Sequence, residues 1–329
     1  KDVICVYCCI GKSFSDLLKI IQLLRQSGAH EYTIVVSAIA SASTGEQYLA
    51  PYTAAALGEY FMDNGRDALV VFDDLTKHAW AYREISLLMD RPPGREAYPG
   101  DIYYIHSQLL ERAGKLNSEL GGGSMTFLPI VETLEGDVTG YIPSNLISMT
   151  DGQIYLNSAL FSEGFKPAVD LELSVSRIGN KVQSPAMRDL SEMLRLEYIQ
   201  YKGLKRVTEI RTGISGETEA KLKRGAAIAG LFIQDRNSPV STEEQIIFLY
   251  ALAEGMLDDL PKLKLDKFKA EIFSFIFQSN PDLIKEIAQK KELNDSVKNG
   301  LNRALGEFFI IEHQSTSGEI SKSKNQNAK

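Results

Sequence analysis

Asp67-Ala-Leu-Val-Val-Phe-Asp-Asp74 is the stretch on which the fold of this chain turns. Five apolar residues, Ala68 to Phe72, stand between a charged start and a doubly acidic end. A run of that length predicts a fully buried parallel strand with the acids at its C-terminal tip. In open α/β sheets, ligands bind at that edge. A carboxylate there can hold a hydrated magnesium ion beside a nucleotide, given a phosphate-binding loop on a neighbouring strand. The eight residues leave a second reading open, in which Asp74 N-caps a helix opening at Leu75.

Working outward, the same alternation repeats. Val3 to Ile10 is a buried-strand candidate, closed by Gly11 and followed by a helix from about Ser15 to Gln26 with Leu17, Leu18, Ile20, Ile21 and Leu24 at helical spacing. Tyr32 to Ala38 predicts another strand, and Glu46 to about Asn64 a helix ended by Gly65, with Pro51 in its first turns or breaking it. A helix from Leu75 to Met89 follows, stopped by Arg91-Pro92-Pro93-Gly94. Asp101 is expected to cap a helix through Ala113, and Phe127 to Glu132 is an apolar run ending on a second acid. Short extended segments are expected at Gln153 to Leu156 and Val169 to Val175. Such alternation predicts an α/β fold, a mostly parallel sheet flanked by helices and joined by right-handed crossovers.

Beyond about Ser184 the pattern changes to long amphipathic segments, with helices expected over 186–202 and 216–233. Ser241-Thr-Glu-Glu244 has the form of a capping box, and Asn280-Pro281 supplies an N-cap followed by proline at the first helical position. The expected division is therefore a sheet domain over 1–183, an all-α helical domain over 184–313 and a disordered polar tail over 314–329.

Bulk properties exclude several function classes. The chain of 329 residues is 44% hydrophobic with no apolar run near the length of a membrane span. A formal charge of -7 without a clustered basic surface argues against nucleic-acid binding. Cys5, Cys8 and Cys9 share one strand candidate, so Cys8 faces away from the other two and the three cannot converge on one metal. Free thiols in a reducing compartment are expected. His30, His78, His106 and His313 are scattered without partners at metal-ligand or triad spacing, which predicts solvated or loosely bonded imidazoles.

Longer strings are more specific than any of these patterns. Gln47-Tyr-Leu-Ala-Pro51, Gly58-Glu-Tyr-Phe61, Arg91-Pro-Pro-Gly-Arg-Glu-Ala-Tyr-Pro-Gly-Asp101, Ser107-Gln-Leu-Leu-Glu-Arg-Ala113, Tyr141-Ile-Pro-Ser-Asn145, Thr150-Asp-Gly-Gln-Ile154 and Ser174-Val-Ser-Arg177 together resemble the alpha subunits of the rotary proton-translocating ATP synthase. The resemblance runs from Lys1 to about His313. It implies a RecA-like nucleotide-binding domain followed by a helical bundle, with ATP or ADP and Mg2+ as ligands. It also implies an alternating ring of three alpha and three beta subunits around a rotating gamma stalk, with a peripheral-stalk or delta-type subunit outside. Contact with a membrane would come only through that complex, on the cytoplasmic side of a bacterial inner membrane or the matrix or stroma side of an organellar one. Measured against that family the chain is expected to begin just after the phosphate-binding loop, since no G-x-x-x-x-G-K-[ST] occurs in it. By itself it would then hold nucleotide poorly.

Residue by residue, the resemblance places Asp73 at the magnesium side of the nucleotide, holding the ion through water, and Glu132 near the phosphates. It puts Phe161, Lys166 and Pro167 at the adenine, with lysine in place of the usual arginine, and Gln234 at an adenine contact, with Arg236 where a second glutamine is common. Arg177 matches an arginine that reaches across a subunit interface to the catalytic site on beta, where a guanidinium stabilises charge on the transferring phosphoryl group. Ser174 is expected to hold the loop that aims it. Lys12 follows Gly11 where catalytic beta subunits carry a glutamate that orients water and alpha subunits usually carry glutamine. An ammonium cannot accept a proton there, so hydrolysis at this subunit's own site is disfavoured. Three rivals remain at this level, the ATPase of a secretion apparatus, a RecA-type nucleic-acid translocase, and a truncated product or scaffold that does not assemble. Lys12 weighs against the first and the acidic balance against the second.

Overall fold

The alternating runs become, in chain order, β1 (Val3–Ile10), α1 (Phe14–Gln26), β2 (Thr33–Ala38), α2 (Thr44–Asp63), β3 (Asp67–Asp73), α3 (Leu75–Leu88), α4 (Ile102–Leu110), β4 (Gly114–Lys115), β5 (Ser124–Pro129) and α5 (Tyr141–Met149). The computed structural model describes residues 2–192, 194–208 and 215–326, with side chains in the last helix described as far as 311. These ten elements lie in the first of two compact units, Lys1–Asp151. Their sheet has the order β2-β1-β3-β5-β4, and every neighbouring pair is parallel except β4 with β5. Parallel neighbours need crossover connections, and α1, α2 and α3 are helices of the required length. The mostly parallel, helix-flanked sheet is the one expected.

One face of β3 is sealed and the other is not. Ala68, Val70 and Phe72 are buried, whereas Leu69 and Val71 are only half-buried, so the strand alternates instead of being fully buried. The sealed face meets α2, whose Ala50, Ala54, Ala55 and Met62 join Val6, Cys8, Ile10 and Phe72 in one apolar core. Helix α2 starts at a complete capping box between Ser43 and Glu46 and runs straight through Pro51, itself buried. An internal proline costs about 3 kcal/mol. Burial of that whole apolar face outweighs it, at about 25 cal/mol per Å² of apolar surface. Asp101 precedes α4 but makes no cap; its Oδ2 accepts the Tyr82 hydroxyl at 2.7 Å instead.

The second unit, Gly152–Lys329, opens with a two-stranded antiparallel pair, β6 (Gly152–Gln153) with β7 (Val175–Ser176), and α6 (Ser158–Ser162) between them. Helices α7 (Pro185–Ser191), α8 (Leu194–Thr208), α9 (Gly216–Phe232), α10 (Thr242–Ala253), α11 (Lys262–Ser279), α12 (Pro281–Lys290) and α13 (Asp295–Gln326) follow. The single helix expected over 186–202 is thus two described helices, and residue 193 lies outside the described residues. Ser241 accepts the Glu244 N–H at 3.2 Å, and Asn280 accepts the Leu283 N–H at 3.3 Å ahead of Pro281, as the capping signals predict. A core built around Phe268, Ile247, Leu252, Ile272 and Leu301 ties these helices together. Helix α13 continues to Gln326, through most of the tail expected to be disordered. Extending a helix already anchored by Val297, Leu301 and Phe308 needs no new nucleus. Residues 327–329 of that tail are outside the described residues.

Candidate functional site

At the carboxyl edge of the sheet, β3 places Asp73 opposite Cys9 of β1. Strand β1 ends at Ile10, and Gly11 turns the chain at φ 63°, donating its N–H to the Ala38 carbonyl at 2.8 Å. A Cβ on Gly11 would stand 3.0 Å from Lys77 Cβ and 3.1 Å from Gln47 Oε1, so both conformation and space favour glycine. The turn lays Lys12 over the tip of β3. Its ammonium is 2.9 Å from Asp73 Oδ1, 3.0 Å from Asp74 Oδ2 and 3.9 Å from Glu132 Oε1. The other Asp73 oxygen accepts a hydrogen bond from the Tyr7 hydroxyl at 2.5 Å. Tyr7 is in register with Val71, two positions back on the face that carries Asp73.

Asp74 is fully buried, and its Oδ1 accepts the Lys77 N–H at 2.9 Å. The capping reading therefore holds for Asp74, while Asp73 is the acid that faces the sheet edge. Glu132 is fixed twice over. Its N–H donates to Thr76 Oγ1 at 2.9 Å, and its Oε2 accepts from the Lys77 ammonium at 2.9 Å. That ammonium also lies 3.9 Å from the centre of the Trp80 ring.

Charge and burial oppose each other here. Burial works against a charged Lys12, yet hydrogen bonds to Asp73 and Asp74 outweigh it and hold the ammonium well above the ordinary lysine range. Burial pushes the Asp74 carboxyl up, against the pull of the Lys77 N–H and Lys12. The hydrogen bond from Lys77 holds Glu132 below its usual range. Burial, then the hydrogen bond to Asp73, pushes the Tyr7 hydroxyl far up, so it remains a donor. A group held as an ammonium cannot take a proton from water.

Magnesium asks for carboxylate oxygens open to it or to its bound waters. Both Asp73 oxygens already face donors. Among the described residues, no group of three or more His, Cys, Asp or Glu side chains is arranged to hold a metal ion. With Lys12 in place, the residues at this edge do not fit the magnesium ion expected at Asp73.

In the second unit, Arg177 follows β7 directly and is exposed. Ser174 braces the segment: its Oγ accepts the Tyr155 N–H and its own N–H donates to the Asp170 carbonyl, each at 2.9 Å. Asp170, 4% exposed, was not singled out by sequence reasoning. Its carboxylate accepts the Glu172 N–H at 2.9 Å and the Asn157 side-chain amide at 3.0 Å, with the Lys202 ammonium 3.7 Å away. Burial opposes its charge, but these donors prevail and hold the carboxyl low. An acid two residues ahead of an N–H it can accept is the sequence signal that marks it.

Of the residues expected around adenine, three come together. Lys166 Nζ lies 4.5 Å from the centre of the Phe161 ring, and the Lys166 carbonyl accepts the Gln234 N–H at 2.8 Å. The Gln234 side-chain amide donates to the Ser238 carbonyl at 2.5 Å, while Pro167 and Arg236 are exposed.

Two histidines depart from expectation. His78 and His106 are neither scattered nor solvated; they meet in the core of the first unit. Their positions on α3 and α4 are 28 residues apart, too far for local spacing to pair them. The cysteines are free, with Cys8 and Cys9 buried and Cys5 partly so, as expected.

Comparison with known proteins accounts for both parts of the chain. The nucleotide-binding domain of the ATP synthase alpha/beta family matches residues 1–176, and the C terminal domain of the ATP synthase alpha/beta chain matches residues 183–308. The ATP synthase subunit alpha of Aquifex aeolicus (strain VF5) is 47% identical over 308 residues, 94% of this chain and 61% of the relative. That of Petrotoga mobilis (strain DSM 10674 / SJ95) is 47% identical over 311 residues, with shares of 94% and 62%. That of Clostridium botulinum (strain Hall / ATCC 3502 / NCTC 13319 / Type A) is 48% identical over 308 residues, with shares of 94% and 61%. The chain thus spans about three fifths of the length of these relatives. No helix among the described residues is long and apolar enough to cross a membrane. With a mostly parallel sheet carrying acids at its edge, a helical region later in the chain, and sequence matches across both, the chain belongs to the ATP synthase alpha/beta family, on the side of its alpha subunits.

Proposed function

We propose that this chain acts as a non-catalytic, regulatory alpha-type subunit of a proton-translocating ATP synthase, holding ATP or ADP structurally and lending Arg177 to a catalytic site on a neighbouring beta subunit. The observation that carries the reading is Lys12. Where catalysis would need a proton acceptor beside the acid-tipped strand, the chain presents an ammonium pinned at 2.9 Å and 3.0 Å by two carboxylates. Chemistry therefore belongs to the partner. Arg177 suits the role in trans because it is exposed directly after a paired strand braced by Ser174, and a planar guanidinium can meet phosphate oxygens two at a time.

In this reading residues 1–183 form the nucleotide-binding domain and 184–313 the helical domain. Glu132 is assigned a phosphate-side role, and Phe161, Lys166, Pro167, Gln234 and Arg236 roles at the adenine, by the family resemblance alone. The partners are beta subunits alternating three and three with alpha, a central gamma stalk and a peripheral-stalk or delta-type subunit. The complex as a whole supplies the membrane contact, on the cytoplasmic, matrix or stroma side of the coupling membrane.

Replacement of Arg177 by alanine in the assembled complex tests the reading. ATP hydrolysis should fall by about three to five orders of magnitude, the range seen when such an arginine is lost. Ring assembly, followed by size-exclusion chromatography, should be unchanged. Unaltered turnover would remove the role in trans, and a chain that never enters a mixed ring with beta would remove the whole assignment.

A further inference from the structure

We propose that Lys12 is a built-in cation: its ammonium stands where a divalent ion would be held at the Asp73 edge, so that a nucleoside phosphate is accepted there without bound metal. The metal-excluding half of this inference stands on geometry alone, and the phosphate half rests on the nucleotide-binding reading above.

Every acid at the edge already faces an ammonium or an N–H or O–H donor, with the buried Asp74 Oδ2 held by its ion pair to Lys12 and not by a hydrogen bond. Asp73 faces Lys12 with one oxygen and the Tyr7 hydroxyl with the other. Asp74 faces Lys12 with one oxygen and the Lys77 N–H with the other. Glu132 is tied to the Lys77 ammonium. Counted with all three carboxyls ionised, three acids against two ammoniums leave a net of one negative charge, which a dication would overturn at contact distance from Lys12. Neutralising Lys12 would double the negative excess and open an oxygen on each of two adjacent carboxylates. Magnesium also demands near-octahedral ligation, whereas an ammonium is a compact charge that needs none.

The lysine is seated by its backbone as well as its side chain. Its carbonyl accepts the Ala40 N–H at 2.9 Å, just after the Gly11 turn. An ammonium carries three N–H donors. Asp73 and Asp74 lie within hydrogen-bonding distance of it, Glu132 at 3.9 Å does not, and the side chain remains 25% exposed. One donor is thus available to a phosphate oxygen. That bridge from carboxylates to phosphate is the arrangement a metal ion would otherwise make.

The test uses Mn2+ as a paramagnetic probe on the full chain, with bound and free ion separated by electron paramagnetic resonance. Wild type and Lys12→Arg, which keeps the charge, should bind no Mn2+ that depends on Asp73. Lys12→Gln should gain one such site, at least about tenfold tighter than any site in wild type, and Lys12→Gln with Asp73→Asn should lose it. Asp73-dependent Mn2+ binding by wild type, or no gain in Lys12→Gln, overturns the proposal. A second arm follows fluorescent trinitrophenyl-ATP with excess Mg2+ or with EDTA. Wild-type affinity should change by less than about twofold, whereas Lys12→Gln should weaken by about tenfold or more without metal; a metal-dependent wild type overturns the phosphate half. If neither chain binds the nucleotide, the phosphate half falls, and the Mn2+ arm still decides whether Lys12 excludes the metal.

Discussion

His78 Nδ1 lies 3.3 Å from His106 Nε2, and both rings are closed off from solvent. Such a contact needs one ring to donate and the other to accept, so at least one of the two imidazoles is neutral. Tyr48 stacks on His78 with ring centres 5.3 Å apart, and Tyr52 meets it edge-on at 5.9 Å. Burial, followed by the neighbouring imidazole, pushes His78 down to about 3, and burial pushes His106 down to about 4. An unfolded imidazole titrates near 6.5.

The first prediction concerns acid. Between about 6.5 and the folded values near 3 and 4, the unfolded chain binds protons that the folded chain refuses. The contribution of the pair is therefore fully present above about 6.5 and is lost progressively as pH falls through that window. Urea midpoints of the wild-type chain should drop from pH 7 to pH 5. In His106→Gln, which retains an amide able to bond His78 and removes one titrating group, the drop should be shallower. Parallel profiles for the two proteins would refute the assignment.

The second prediction concerns the segment that carries Arg177. Gly152 pairs with Ser176, and a Cβ on it would stand 2.2 Å from the Val175 carbonyl oxygen and 3.0 Å from Ser176 Cα. Both obstacles are backbone, so Gly152→Ala must part β6 from β7. We expect a cost of about 1–3 kcal/mol, typical of overpacking. ATP hydrolysis by the assembled complex should also fall, though by less than with Arg177→Ala. Differential scanning calorimetry and steady-state turnover on the same preparations check the two effects separately.

The third prediction concerns the helical unit. Phe268 is fully buried between Phe248, Phe308 and Phe309, with ring centres 5.8 to 5.9 Å away. Phe268→Ala should cost about 3–5 kcal/mol, because the lost transfer energy is compounded by the cavity left behind. Phe268→Leu, which refills most of that volume, should recover the larger part. Thermal denaturation of the three proteins orders them, and an alanine variant as stable as wild type would show that the site collapses without cost.

Much of the chain was legible before folding. The Asp67 to Asp74 stretch told of a parallel strand with acids at its tip, because apolar runs, helix caps and turn residues act through neighbours a few positions away. The helix starts at Ser241 and Asn280, and the change from sheet to helices, were legible for the same reason. Other features were not. Pro51 left two readings open, in the first turns of the helix or breaking it, because its cost is local, whereas the burial that outweighs that cost comes from residues on β1, β3 and α2 together. The His78 and His106 contact joins two helices that local periodicity describes separately.

At the strand tip the division is sharpest. The residues by themselves determined that Asp73 and Asp74 would end a strand and that Lys12 would bring a cation into a family position usually held by a neutral or acidic side chain. Only the tertiary structure decided what each acid does. The parallel register of β1 beside β3 sets Cys9 against Asp73, brings the Tyr7 hydroxyl to one Asp73 oxygen, and lets the Gly11 turn carry the Lys12 ammonium to the other. Residues more than 60 positions apart meet there because ladder hydrogen bonds and the shared apolar face choose the register, and no short window of sequence contains either.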